Sequence, residues 1–415
     1  LPVNTEAPAR TSGLKRFSAV TFFYFGAIGL FNPYAPLWFQ SLGFSTLVIG
    51  AIASLQSWTR VLAPYAWSWA GDHGGRRVEL MRLAALGALL SSLGLLAVGL
   101  GTDGDRQDLV VAIAVMTTLL FVANSGIVPL YEALLAHKLV TPDGGIDARR
   151  YGRVRVWGSI GFIVMVLCFG WLLERFGIAV FPFFVGAMNA LLLLAVMRLP
   201  ATQADAVHDE PPPPALPLLK SPEVAWFFAS IFFTVLAHTS LYAFFSLYLV
   251  DLGYGKGAVG ALWAVSVLVE IAFFWTQGRW FPRLAPPVWL QVVGLVTTLR
   301  FTATAVGGSW VPVLVLAQML HAITFAAHHA ACITTVQKLF PGRLRGRGQA
   351  LYTTLGYGFS GVLGGVGGGW IISRFGFAAV FWAAALCGLA AWWCARRSQR
   401  AAPPVEGPID PDQGG

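Results

Sequence analysis

Apolar residues in this chain come in blocks of about twenty, separated by short polar stretches, and the blocks are too long and too continuous for the core of a soluble domain. Twelve such blocks occur, near 17–40, 47–70, 79–100, 109–137, 154–173, 178–198, 222–249, 258–280, 287–306, 311–337, 350–372 and 377–395. Each is long enough to cross a bilayer as a helix. The one long polar stretch, PATQADAVHDEPPPPALPLLK with its flanks, divides them six and six, and its run Pro211 to Pro214 favours an extended linker. The pattern predicts an all-α membrane protein with an N-terminal six-helix bundle (1–198), a cytoplasmic linker (199–221), a C-terminal six-helix bundle (222–395) and a cytoplasmic tail (396–415).

The two halves repeat one another. LWFQSLGFSTLVIGAIASLQSWTRVLA from Leu37 returns 210 positions later as LYLVDLGYGKGAVGALWAVSVLVEIAF, matching Leu37, Leu42, Gly43, Gly50 and Ala51 with Leu247, Leu252, Gly253, Gly260 and Ala261. Further on, Gly170-Trp171 and Arg175-Phe176-Gly177 match Gly369-Trp370 and Arg374-Phe375-Gly376. Repeats of this kind predict bundles related by a pseudo-twofold axis, with the ligand site between them at mid-membrane. The repeat sets Arg60 on Glu270, so each half carries an ionisable residue of opposite sign at one depth. Charges inside a membrane are costly and mark substrate or proton pathways. Glycines crowd the eleventh block (Gly356, Gly358, Gly361, Gly364, Gly365, Gly367, Gly368, Gly369), which fits either close helix packing or a gating hinge.

Charge supplies the orientation. A net charge of +9 would point to nucleic acid in a soluble protein, but 22 of the 28 basic residues lie in, or within four residues of, the termini and the loops after blocks 2, 4, 6, 8 and 10. That asymmetry places both termini in the cytoplasm of a bacterial-type inner membrane and leaves no nucleic-acid partner to explain. The four cysteines lack metal or redox spacing and read as small apolar residues. The first block is too long for a signal-peptide core and reads as a retained span. No Walker-type loop, nucleophile constellation or metal set appears, so no enzyme, cofactor or ATP coupling is expected.

Four segments carry a family resemblance: Asp72-His73-Gly74-Gly75-Arg76-Arg77 after the second block, FFYFGAIGLFNPYAPLWF at 22–39, PLYEALL followed by YGRVRVWGSIGF at 129–162, and AQMLHAITFAAHH at 317–329. The first resembles the D-R/K-x-G-R/K-R/K core of the major facilitator signature, with His73 at a basic position and Ser68 where glycine is common. Together they resemble the phenylpropionate-permease group of the major facilitator superfamily and, more distantly, lactose permease. The resemblance covers nearly the whole chain and implies a twelve-helix fold, a central cavity and proton-coupled uptake. It also implies sugar-type binding roles for Glu132 and Arg155 and matches Glu270, Arg300 and His321 to polar residues of spans 8, 9 and 10. The carboxylate that carries the proton in the sugar carrier corresponds to Thr324, so Glu270 or a histidine must take over that duty.

The residues themselves divide into three groups. Glu270 sits about 20 Å of helix from the outer end of its span and is the candidate proton site, with His321 and Arg300 modulating it; the plainer reading is an ion pair of Glu270 with Arg300 or Arg60 locking helices. Arg60, Glu132, Arg155, Asn32, Asn124, His238, Tyr242 and His328 are candidate substrate contacts. Arg60 and Arg155 offer planar cationic forks suited to a carboxylate, although Glu132 and Arg155 also fit a cytoplasmic gate pair. His321 and His328, two α-helical turns apart, are expected on one face, with His329 pointing elsewhere. Gln56 and Tyr357 add neutral polar groups, and Tyr24, Phe31, Tyr34 and Trp263 an apolar wall. Asp72, Arg76 and Arg77 form the candidate cytoplasmic gate. The resulting expectation is a monomeric secondary transporter working by alternating access, importing a small organic solute with a proton, an aromatic carboxylate such as phenylpropionate foremost. Sugar or nucleoside symport, metabolite or drug efflux, and a non-transporting sensor are the alternatives.

Overall fold

A computed structural model describes residues 9–74, 76–101, 105–141, 147–200 and 216–402. Twelve helices long and apolar enough to cross a membrane lie among them. The first six are α1 (Leu14–Ser41), α2 (Thr46–Gly71), α3 (Arg77–Leu100), α4 (Arg106–Lys138), α5 (Arg149–Phe176) and α6 (Ile178–Met197). The second six are α7 (Pro222–Asp251), α8 (Lys256–Arg283), α9 (Pro286–Gly307), α10 (Val311–Leu339), α11 (Arg345–Phe375) and α12 (Phe377–Ala401). Most of the proline-rich connector, residues 201–215, lies outside the described residues. The outward faces stay apolar, as with Leu83, Leu86, Leu90 and Leu93 on α3, because lipid rather than water meets them.

Glycines matched by the repeat share backbone conformation. Gly43 and Gly253 turn α1 into α2 and α7 into α8 at φ 78° and 88°, and Gly177 and Gly376 turn α5 into α6 and α11 into α12 at 84° and 83°. These left-handed corners suit a residue without Cβ. Other irregularities fall within the spans. The winding of α4 breaks at Gly126, whose N–H bonds Ala123 O at 3.2 Å; three residues on, Pro129 has no N–H to close the next turn. α10 and α11 contain π-helical stretches at Ala322–Ala327 and Tyr352–Phe359.

In each half the first helix is central: α1 packs on α5 and α6, while α7 packs on α11 and α12. The halves meet chiefly through α2 with α11 and α5 with α8, two pairings that the repeat exchanges for one another. The glycines of the eleventh block line the first of these. A Cβ on Gly50 would overlap the carbonyl oxygen of Gly365, one on Gly369 that of Thr46, and one on Gly361 the Ser57 hydroxyl. In the second, a Cβ on Gly260 would stand 2.6 Å from Val166 O. Here the small residues serve backbone contact.

All of these contacts lie toward the side of the molecule away from the chain termini. Tyr34 Oη donates to Val166 O at 2.7 Å, and the Glu174 carboxylate accepts from the backbone N–H groups of Lys256 and Gly257 at the start of α8. On the terminal side, the ends of α4, α10 and α11 pack mainly within their own halves. Among the described residues the molecule is therefore sealed opposite its termini and open beside them. Gly50→Val is expected to loosen the seal by about 1–3 kcal/mol. Maleimide labelling of a cysteine introduced at Thr46 should then accelerate about tenfold or more over the Cys168 background.

Candidate functional site

Within the second half, polar side chains of α7, α8, α9 and α10 converge on Arg300, which is 1% exposed. Its NH1 donates to His321 Nδ1 and Thr324 Oγ1, each at 3.0 Å, and its NH2 to Gln318 Oε1 at 2.9 Å. Ser266 Oγ donates to the same Gln318 oxygen at 2.5 Å. A guanidinium only donates, so His321 Nδ1 is an acceptor and its proton resides on Nε2. His238 is oriented by the same logic: Nδ1–H donates to Thr234 O at 2.8 Å, leaving Nε2 to accept from the Thr324 hydroxyl at 3.1 Å. The arginine is thus solvated by neutral acceptors.

His321 connects this cluster to Glu270. Its Nε2 lies 4.0 Å from Glu270 Oε2, too long for a direct hydrogen bond. The Glu270 side chain is 21% exposed, while the His321 imidazole stays covered. No pair of Glu270 with Arg300 or Arg60 closes within 4.0 Å among the described residues. Arg300 meets the opposite ring nitrogen of that imidazole.

The first half holds a cavity of about 220 Å³ between α1, α2, α4 and α6. Arg60, Asn32, Gln56, Asn124 and Asn189 supply its polar wall, and Tyr24, Phe31 and Phe121 its aromatic one. Arg60 is exposed, and no carboxylate among the described residues lies within 4.0 Å of its guanidinium. Asn124 sits where the winding of α4 fails. Interrupted helices of this kind mark binding sites in transporters.

The remaining expected residues are dispersed. Arg155 stands over the Phe25 ring at 4.3 Å, and Glu132 is hydrogen bonded to Tyr151. Tyr242 stacks on Trp263, and Trp263 Nε1 donates to Ser246 Oγ at 3.2 Å. Tyr34, expected as part of an aromatic wall, belongs instead to the seal opposite the termini. Nor do His321 and His328 work as a pair. The π-helical stretch between them absorbs an extra residue, so seven positions no longer make two turns; His328 is buried with its Nε2 3.3 Å from Cys332 Sγ. His329, expected to point away, meets Tyr352 Oη at 3.3 Å, and that hydroxyl lies 3.1 Å from Tyr357 Oη. Arg76 pairs with Glu79 at 3.8 Å on the surface, and the Asp72 side chain lies outside the described residues. Three participants escaped the sequence reading: Gln318, Ser266 and Asn189. Gln318 stands one turn before His321, and Asn189 is a lone amide in an otherwise apolar span, so both left a trace.

The model of the MFS_1 like family matches residues 14–383. The chain belongs to that family. As a major facilitator protein it is a multi-pass membrane transporter of small solutes. It is 26% identical over 382 residues to a probable 3-phenylpropionic acid transporter of Escherichia coli (strain K12), covering 91% of this chain and 96% of the relative. It is 28% identical over 391 residues to a maltose permease of Geobacillus stearothermophilus, with 92% of each covered. A crystal structure of a variant of the nucleoside transporter NupG superposes with a TM-score of 0.80 at 16% identity, covering 93% of this chain and 99% of that one. That likeness concerns the fold.

Proposed function

We propose that this transporter carries a small aromatic carboxylate together with a proton, by alternating access of the two six-helix bundles 1–198 and 222–395. The observation that supports the substrate class most is Arg60, an exposed cation without a carboxylate partner among the described residues, set in an aromatic-walled cavity. An apolar cavity of about 150 Å³ accommodates benzene, so about 220 Å³ suits one ring with a short acid side chain and is small for a disaccharide. Similarity to the 3-phenylpropionic acid transporter points the same way. Glu270 is the proton site in this reading, with His321 presenting Nε2–H toward the carboxylate and Arg300 holding that tautomer. The basic residues on the terminal side favour cytoplasmic termini in a bacterial-type inner membrane, which makes the open side the inner one. The transporter works as a monomer in this reading.

Adding 3-phenylpropionate to proteoliposomes without an imposed gradient is expected to acidify the lumen beyond the passive permeation seen in empty vesicles. Arg60→Gln should raise the half-saturating concentration about ten- to a hundredfold, the value of hydrogen bonds to a charged group. A signal equal to empty vesicles would remove the aromatic acids. Sugars would then take their place, a reading favoured by the maltose permease similarity and by the Glu132–Tyr151 pair.

A further inference from the structure

The two seams of the seal use matched positions and unmatched chemistry. The repeat sets Ser45 on Gly255, Thr46 and Leu47 on Lys256 and Gly257, and Ser373 on Glu174. Along α2 and α11 each helix satisfies its own polar groups: Ser45 Oγ accepts from Val48 N–H at 3.3 Å, capping the first turn of α2, and Ser373 Oγ donates to Trp370 O at 2.8 Å. What crosses that seam is a neutral hydrogen bond, Thr46 Oγ1 donating to Gly369 O at 3.1 Å. Along α5 and α8, Gly255 stands at the cap position and has no side chain to cap with. The acceptor comes from the other half of the molecule. Glu174, near the end of α5, accepts from the N–H groups of Lys256 and Gly257, the first two of α8. Gly255 leaves room for it, since a Cβ there would stand 2.9 Å from Glu174 Oε2.

The N–H groups at a helix start have no partner within the helix, and a carboxylate set on them also meets the positive end of the helix dipole. Such charge-assisted bonds are about twice as strong as neutral ones. No cationic side chain among the described residues lies within 4.0 Å of the Glu174 carboxylate, so the backbone of α8 is its partner. We infer that Glu174 is a latch between the two bundles: it caps α8 from the first half while the side opposite the termini is shut, and opening that side leaves the first turn of α8 uncapped. The seal then has two unlike seams, one that parts between backbone surfaces and one that must give up a charged contact. Glu174 biases the transporter toward the conformation that is open beside the termini. The latch presupposes the alternating access proposed above, and it acts whatever the solute.

Double electron–electron resonance on the full-length chain in nanodiscs tests this, with spin labels at Gln107→Cys and Trp310→Cys in a background lacking Cys168 and Cys387. Both positions are exposed on the sealed side, one in each half. Glu174→Leu is expected to raise the ratio of the longer distance, that of the opened seal, to the shorter one about tenfold or more, the worth of hydrogen bonds to a charged group. Gly255→Ser keeps the carboxylate but gives α8 a cap of its own and crowds Oε2, and it should raise the ratio as well. Gly50→Val, which loosens the other seam, marks where the longer distance lies. Distributions unchanged in both latch variants, with the longer distance present in Gly50→Val, would overturn the latch and leave alternating access standing. One distance in every sample, Gly50→Val included, would bring down both.

Discussion

Glu270→Gln is expected to abolish uphill accumulation of substrate while counterflow of labelled substrate, which requires no net proton movement, continues. One proton carried with each anion allows about tenfold accumulation per unit of pH gradient, and the glutamine variant should fall to a ratio of one. The physical case is local. Glu270 is partly exposed, His321 Nε2 lies 4.0 Å from its Oε2, and Arg300 on the far side of that imidazole fixes which nitrogen bears the proton. Glutamine keeps the shape and the 4.0 Å approach to His321 but cannot take up a proton. If Glu270 merely tied α8 to α10, the variant would preserve that tie and accumulation would survive. Measuring accumulation and counterflow in the same vesicles separates the two roles.

Arg300→Leu is expected to produce the largest loss of stability. The guanidinium is 1% exposed and donates to His321, Thr324 and Gln318. Its removal leaves several buried acceptors unpaired at once, each at a cost of about 1–3 kcal/mol. Thermal unfolding in detergent measures this directly. Arg300→Lys should recover only part of the loss, since an ammonium cannot reproduce a planar fork that reaches two acceptors from NH1 and a third from NH2. It should also impair accumulation, because His321 is then free to move its proton to Nδ1. A lysine variant as stable and as well coupled as the wild type would show that the fork geometry is irrelevant.

Much of this molecule is visible in one dimension. The spans follow from hydropathy because a helix is the one open-chain element that satisfies its own backbone in lipid. The glycines paired by the repeat reappear as paired corners and paired close contacts, because two copies of one fold need the same left-handed turns and the same thin interfaces. Other expectations changed for identifiable reasons. The histidine spacing in α10 assumed regular winding, and the π-helical stretch altered which neighbour each imidazole meets. Tyr34 looked like a cavity residue from its sequence neighbours, yet its hydroxyl reaches Val166 in the seal. Asn189 passed unnoticed because a single amide in an apolar run carries no period.

By itself the sequence determined the number of spans, the six-and-six division of the apolar blocks, the duplicated glycine corners and the opposite charges at positions 60 and 270. Each of these is a property of composition, period or repeat along the chain. Only the tertiary structure decided that Arg300 is held by neutral acceptors rather than by Glu270, that His321 stands between them, and that Glu174 caps α8 from the other half. These are contacts between helices far apart in the chain, and the direction of a side chain across such an interface depends on helix rotation, which one irregular turn is enough to change.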